Sequence, residues 1–282
     1  MSIPFPQHSH QVAKKSGSNF YLSFGILPPD QKAGMYAAYA FSRLVDDAVD
    51  QEAPMEQKIA ALSAWQRELG ACYNGGVSHP VMRELAQVVA RFNIPREYFL
   101  DLIEGMMMDL HKHRYQDFEE LKKYCYHVAG TVGLICNAIF GREDKRAHQY
   151  ALDLGMAFQL TNILRDVGID ADQGRIYLPL EELERFQCSE QQILTKTYSP
   201  EFFKLMEFQW DRAKRYFEKA HRTLSGKERR RLLAAEIMDG IYYRILKKIR
   251  RRHFHVFEKK ITVSKIQKFA ILLKAWIRSK LS

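Results

Sequence analysis

The sequence predicts an all-α fold in a single domain. Three observations carry that expectation. Apolar residues recur three and four positions apart through nearly the whole of the 282 residues, the spacing that places them on one face of a helix. Only 15 glycines and 9 prolines interrupt the pattern, so long helices can propagate. No stretch alternates apolar and polar residues as a half-buried strand does.

Residues 1–15 read as flexible. The segment Lys14 to Phe24, KKSGSNFYLSF, follows. Ser16, Gly17, Ser18 and Asn19 can present backbone N–H groups and small side chains to an anion at a helix start. They fit an ordinary cap and loop equally well. Pro28-Pro29-Asp30 breaks the chain and restarts it, with Asp30 as N-cap of a helix running to Asp50. Residues 54–72 and 80–92 read as amphipathic scaffold helices, with Ile59, Leu62, Trp65 and Leu69 on one face and the turn Asn74-Gly75-Gly76 between them. Residues 95–112 form another helix, with Met106, Met107 and Met108 as core filler beside Asp109.

Asp117 opens a helix over 117–141, with Glu120 as its capping-box partner. Tyr126, Ala129 or Gly130, Gly133 and Asn137 share one face of it. Two glycines inside a helix cost about 1 kcal/mol each relative to alanine, so something must use the space they leave. A close helix crossing and a ligand lying against the backbone both qualify. Residues 144–170 form a helix whose last turn Gly168 weakens, leaving Asp170 on a frayed end. After the turn at 172–175, Ile176 to Pro179 run extended into a new helix at Leu180. Residues 200–226 carry the apolar stripe Phe203, Met206, Trp210, Ala213 and Phe217. Residues 228–252 set Ile237, Ile241, Tyr242, Ile245 and Ile249 among basic side chains. A basic tail and last helix, 253–282, place Ile266, Phe269, Leu272, Leu273 and Trp276 against Lys265, Lys268, Lys274 and Arg278.

Composition removes several classes. A hydrophobic content of 46% excludes global disorder. Cys72, Cys125, Cys136 and Cys188 are scattered without CxxC spacing, which favours buried thiols over a disulfide or zinc site. The N-terminus has no apolar core of a secretory signal, and no uncharged apolar run reaches the roughly 18 residues that span a bilayer. The expected location is cytoplasmic. Net charge is +10, which suits nucleic acid, anionic lipid or an anionic substrate. The excess lies late, in Lys227 to Arg231 and Arg244 to Arg252.

Two helical stripes stand out against this background. Tyr36, Tyr39, Arg43, Asp46 and Asp50 step by three and four, as do Gly155, Gln159, Asn162, Asp166 and Asp170 with Arg165 alongside. Each runs from small or aromatic residues to carboxylates. Like charges four apart destabilise a helix, and more so at a C-terminus, where the macrodipole is negative. A bound cation removes both penalties. Two carboxylate groups without histidine or cysteine fit magnesium, which shares its octahedron with substrate phosphates, and argue against zinc. Arg43 and Arg165 supply cations for diphosphate oxygens. The apolar halves of both helices can house a hydrocarbon tail, and Tyr39, Phe20 and Tyr126 can stabilise a carbocation through their π faces. Metal-assisted ionisation of an allylic diphosphate needs this combination.

The segments RLVDDAVD, YCYHVAGTVG, and QLTNILRDVGID followed by GRIYLP resemble those of the squalene/phytoene synthases. The likeness runs from about Ser16 to Lys265. It implies an isoprenoid synthase fold, with helices around a central cavity, and head-to-head (1′–1) condensation of two prenyl diphosphates through a cyclopropylcarbinyl diphosphate. Carried over by motif, Asp46, Asp50, Asn162, Asp166 and Asp170 hold magnesium, or manganese in its place, and the aspartates with Tyr39 form the catalytic set. Ser16, Gly17, Ser18, Asn19, Phe20, Tyr39, Arg43, Tyr126, Gln159, Arg165 and Tyr242 contact substrate. One departure is Ile169, which stands where the family pattern has Glu, off the metal-facing stripe. Compact length and the SGSNFY opening look most like the bacterial hopanoid-associated enzymes. The expectation is therefore two farnesyl diphosphates joined to presqualene diphosphate, with NADPH required only if the reaction continues to squalene. Phytoene synthesis from two geranylgeranyl diphosphates, for carotenoids, is the alternative.

A basic helical module for nucleic acid or a scaffold protein is the rival from another class. It gives no reason for paired acids at helix ends, so no nucleic-acid partner is expected. The basic tail suits peripheral contact with an anionic membrane on its inner face, and downstream isoprenoid-pathway enzymes are conceivable partners.

Overall fold

The computed structural model describes residues 3–142, 144–230 and 232–280. Arg231 and Leu281 lie outside the described residues, as does the side chain of Asn19. The helices in chain order are α1 (Gln7–Lys15), α2 (Asn19–Phe24), α3 (Pro29–Asp50), α4 (Met55–Asn74), α5 (Pro80–Phe92), α6 (Arg96–His111) and α7 (Phe118–Cys125). A π-helical turn, Tyr126–Gly130, leads into α8 (Thr131–Ile139). Then come α9 (Lys145–Asp172), α10 (Leu180–Arg185), α11 (Glu190–Leu194), α12 (Pro200–Thr223), α13 (Gly226–Arg230), α14 (Leu233–Arg251) and α15 (Lys265–Lys280). The only β pairing among the described residues is an isolated bridge between Arg114 and Ile176. No described helix is long and apolar enough to cross a membrane.

The apolar stripes assemble two cores. One is built on α3, α4, α5 and α6 around Phe41, Leu62, Leu85 and Phe99. The other is built on α9, α12 and α14 around Leu164, Phe202, Phe217 and Ile245. Phe20, Val128 and Phe140 pack against both, so the seam between the cores runs past α2, the π turn and α8. Helix α9 is the spine, touching α12, α8, the π turn and α14.

Several local expectations change. Residues 7–15, expected to be flexible, form α1, which packs on α3 and α5. Pro28 occupies the N-cap position of α3 with Pro29 first inside. Asp30 instead accepts hydrogen bonds from Ile3 N (3.3 Å) and Arg91 (3.4 Å). Asp117 does cap α7, accepting from Glu120 N at 2.8 Å. The Glu120 carboxylate turns away, to Gln116 N (2.6 Å) and Lys112, so no capping box closes. The expected helix over 117–141 is interrupted by the π turn, and that over 228–252 is split into α13 and α14. Asp170 is not frayed. Helix α9 continues to Asp172, and at Gly168 the chain at Phe257 packs closely against it; a Cβ there would lie 2.9 Å from Phe257 Cα.

Candidate active site

The glycines serve a close helix crossing, and Gly133 borders a cavity as well. A Cβ at Gly133 would lie 2.7 Å from Ala151 O, and one at Gly155 would lie 2.7 Å from Ala129 O. The π turn and α8 therefore cross α9 backbone to backbone. Gly133, Ala151 and Gly155 also line a cavity of about 1190 Å³, counted with its mouth, in the seam between the two cores. Its wall runs along α9 from Tyr150 to Asn162 and continues on α3, α8 and α14. Ala234, Ala235 and Met238 form the α14 side.

The mouth is polar and aromatic. Tyr39, Ser42, Gln159, Asn162 and Tyr242 are cavity-lining residues, and on α3 and α9 the acids Asp46 and Asp166 follow one helical turn later. Phe158 stacks on Tyr242 with ring centroids 4.4 Å apart, and Phe20 lies 6.1 Å from Tyr39 and 6.4 Å from Tyr242. Tyr39 OH donates to Ser16 Oγ at 2.9 Å, which ties the segment before α2 to α3. Gly17 takes a left-handed φ of +61°, and Ser18 caps α2 by accepting from Phe20 N at 3.2 Å. Tyr126 stands apart. It is not among the lining residues, and its hydroxyl donates to Asp101 at 2.8 Å.

At the end of α3, Arg43 pairs with Asp46 (3.0 Å) and with Asp47. On α9, Arg165 grips both oxygens of Asp166, Nε to Oδ1 at 2.9 Å, and Lys260 reaches Asp166 at 3.5 Å. Burial, reinforced by Asp50, pushes the Asp46 carboxyl up to about 6. Burial and Asp166 push Asp170 up to about 7. Both acids are thus costly to ionise without a cation.

Sequence reading missed Asp109. It is buried on α6 and accepts hydrogen bonds from Tyr124 OH (3.0 Å) and Tyr177 OH (2.8 Å). Its charge is felt by Asp46 and by Asp170, so it stands between the two acidic groups. Burial raises its pKa, opposed by the two tyrosines and Arg175. Arg175 and Tyr177 come from the GRIYLP segment, whose spacing alone assigns them no role. Lys260 sits in a loop with no pattern to mark it.

Among the described residues, no three His, Cys, Asp or Glu side chains form a ready-made metal cluster. A hard cation that takes most of its oxygens from phosphate and water needs none. The donor set fits such an ion at one further point: Asn162 Oδ1 is buried without a hydrogen-bond partner, while its amide donates to Gln159 at 3.3 Å. Ile169 is 42% exposed, off the acidic stripe.

Comparison with known proteins agrees with this architecture. Residues 13–267 match the squalene/phytoene synthase family. A 15-cis-phytoene synthase from Synechocystis is 36% identical over 281 residues, 95% of this chain and 83% of that protein. A dehydrosqualene synthase crystallised with a ligand superimposes with a TM-score of 0.85 at 31% identity, covering 98% of this chain and 96% of the other. A squalene synthase from Alicyclobacillus acidocaldarius gives 0.78 at 29% identity, covering 88% and 95%. These likenesses correct the expected substrate. Relatives from cyanobacteria and plants at 32–36% identity are phytoene synthases, whereas the squalene synthase is less similar, so farnesyl diphosphate gives way to the alternative. Compact length and the SGSNFY segment were poor guides because neither touches the depth of the cavity. The all-α isoprenoid synthase fold, the acidic stripes and the matched family converge: the chain belongs to the squalene/phytoene synthases, a family of prenyltransferases.

Proposed function

We propose that this protein joins two geranylgeranyl diphosphates head to head to make phytoene, with magnesium. The observation that carries the chemistry is the pair of acid, arginine and amide stripes at the mouth of one apolar cavity. The tail length is carried by the phytoene synthase relatives. The α9 wall from Ala151 to Asn162 spans roughly 17 Å at 1.5 Å per residue, which supports a long extended tail.

Asp46, Asp50, Asn162, Asp166 and Asp170 hold the metal with the substrate phosphates. When bound, magnesium neutralises the diphosphate leaving group. Arg43 and Arg165 exchange part of their carboxylate pairing for diphosphate oxygens. Ser16, Gly17, Ser18 and Asn19 close over the same end, held by the Tyr39 to Ser16 hydrogen bond. Gln159 and Tyr242 orient the substrate at the rim. Loss of diphosphate from the first substrate leaves an allylic cation, which the second substrate's double bond attacks. Proton loss then gives the cyclopropylcarbinyl diphosphate. A second loss of diphosphate, rearrangement and a second proton loss give the C40 triene core, so no reductant is consumed. Phe20, Tyr39, Phe158 and Tyr242 present π faces to the cations, and the dry wall behind them keeps water away. Peripheral contact with an anionic membrane accompanies this reading, since the product is a hydrocarbon.

The test is incubation of the purified protein with magnesium and geranylgeranyl diphosphate, with the lipid products separated by liquid chromatography and mass spectrometry. A C40 hydrocarbon formed without NADPH is expected. No C40 product, or C30 products formed from farnesyl diphosphate alone, would overturn the reading.

A further inference from the structure

Helix α15 lies on α14 with Ile271, Leu272 and Ala275 turned inward. Its opposite face is apolar and open to solvent. Ile266 is 83% exposed, Phe269 64%, Leu273 41%, Trp276 44% and Ile277 45%. At 3.6 residues per turn these five fall within an arc of about 100°, centred away from α14. Such a stripe is wide for a surface that meets only water.

The surroundings are cationic. Helix α15 contains Lys265, Lys268, Lys274, Arg278 and Lys280 and no acidic residue. A groove between α14 and α15 is lined by Arg244, Lys247, Arg251 and Lys274. Among the described residues no carboxylate pairs with these four. The groove's two acids are already engaged: Glu236 with Arg229 at 3.3 Å, and Asp239 with His221 at 2.9 Å. Crowded positive charge is also felt at Lys248, whose pKa burial lowers with help from Arg244 and Arg252. Five cations on a helix without an acid repel a second copy of that helix, so self-association through this face is disfavoured. An apolar stripe flanked by such cations complements a bilayer bearing anionic headgroups.

We propose that the α14–α15 face is a membrane-docking surface, with Ile266, Phe269, Leu273 and Trp276 entering the acyl boundary and the groove cations taking anionic lipid headgroups. This deepens the membrane contact in the proposed function and rests on no assumption about substrate chain length. Docking in this pose also sets the reaction cavity one helix from the bilayer. The side of α14 that carries Ala234, Ala235 and Met238 lines that cavity, while Leu233, Tyr243 and Lys247 on other sides of the helix face the groove.

The experiment uses the full chain without prenyl substrate, so its failure leaves the C40 reading standing. Partitioning onto phosphatidylcholine vesicles is compared with partitioning onto vesicles that also carry phosphatidylglycerol, by co-flotation at low and high salt. Selective, salt-sensitive binding to the anionic vesicles is expected. Phe269→Glu and Trp276→Glu should abolish it while keeping turnover of detergent-dispersed substrate. Lys247→Glu and Lys274→Glu should each weaken it by roughly fivefold or more, given about 1 kcal/mol per basic residue near an anionic surface. The fluorescence of Trp276 should shift to the blue on binding, a change lost in Trp276→Phe. Ile266→Glu, at the most exposed position, serves if another variant folds poorly. Equal binding to both vesicle types, binding retained by Trp276→Glu, or a wild-type dimer that Trp276→Glu dissociates would each overturn the proposal.

Discussion

Replacing Gly155 by alanine tests whether the crossing of α9 with the π turn sets the cavity wall. The added Cβ would lie 2.7 Å from Ala129 O, 3.0 Å from Ala129 C and 3.2 Å from Gly130 Cα. All three are backbone atoms, so no side chain can swing aside and the helices must part. Alanine gains about 1 kcal/mol over glycine in helix propensity. Overpacking costs about 1–3 kcal/mol, and a rigid neighbour favours the upper end. The net loss is about 1–2 kcal/mol. At the roughly 2–4 °C per kcal/mol of large domains, Tm falls by a few degrees. Differential scanning calorimetry of the metal-free protein measures it. Gly226→Ala is the control, because a Cβ there meets nothing within 4 Å, and it should melt at or slightly above wild type. Gly133→Ala, facing Ala151 O at 2.7 Å, should behave like Gly155→Ala. Turnover of prenyl diphosphate should fall in both, since both residues line the cavity. If Gly155→Ala melted with the Gly226→Ala control, the contact would not be limited by backbone and the reasoning would fail.

Asp46→Asn and Asp166→Asn should each reduce turnover by roughly 100-fold or more with an unchanged far-ultraviolet circular dichroism spectrum; full activity in either would refute the metal assignment. Asp170→Asn should stabilise the metal-free protein in a pH-dependent way. The folded pKa near 7 lies above the ordinary carboxylate value, so the wild type loses stability as pH rises from about 4 to about 7, and the neutral asparagine does not. The difference in Tm should grow across that window and then level off, and a constant difference from pH 4 to 8 would contradict it. Tyr177→Phe removes the 2.8 Å donor to buried Asp109 and should cost about 1–3 kcal/mol, read from urea denaturation; an unchanged midpoint would show that the hydroxyl is dispensable.

The two acidic stripes were legible as shared faces because each lies on a single helix, α3 or α9, where spacing alone decides which side chains are neighbours. Asp109 was not, since its partners Tyr124 and Tyr177 lie 15 and 68 residues away and only tertiary packing joins them. The π turn was illegible for a related reason: it packs tightly against other helices, with Val128 at 2.7 Å from a Cβ position on Gly105 and Leu152 at 3.2 Å from one on Gly130, contacts that helical spacing does not reveal. Periodicity also showed that α15 is amphipathic without showing which apolar residues are covered. Packing on α14 covers Ile271 and Leu272 and leaves Phe269 and Trp276 outside. Substrate length was not legible because, among the described residues of the SGSNFY segment, only Phe20 lines the cavity, whereas most of the lining comes from residues scattered over α3, α8, α9 and α14 that only tertiary packing brings together.

The cavity lies in the seam where the two cores meet, so whatever fills it touches both. Leu154, Phe158 and Met238 pack in the α9–α12–α14 core on one side and line the cavity on the other, so an apolar tail placed there gains dispersion contacts with them. A prenyl tail supplies them, and any ligand bound only by the folded state raises stability in proportion to the logarithm of its concentration. A chain that buries a tail there is therefore held folded in part by the molecule it binds.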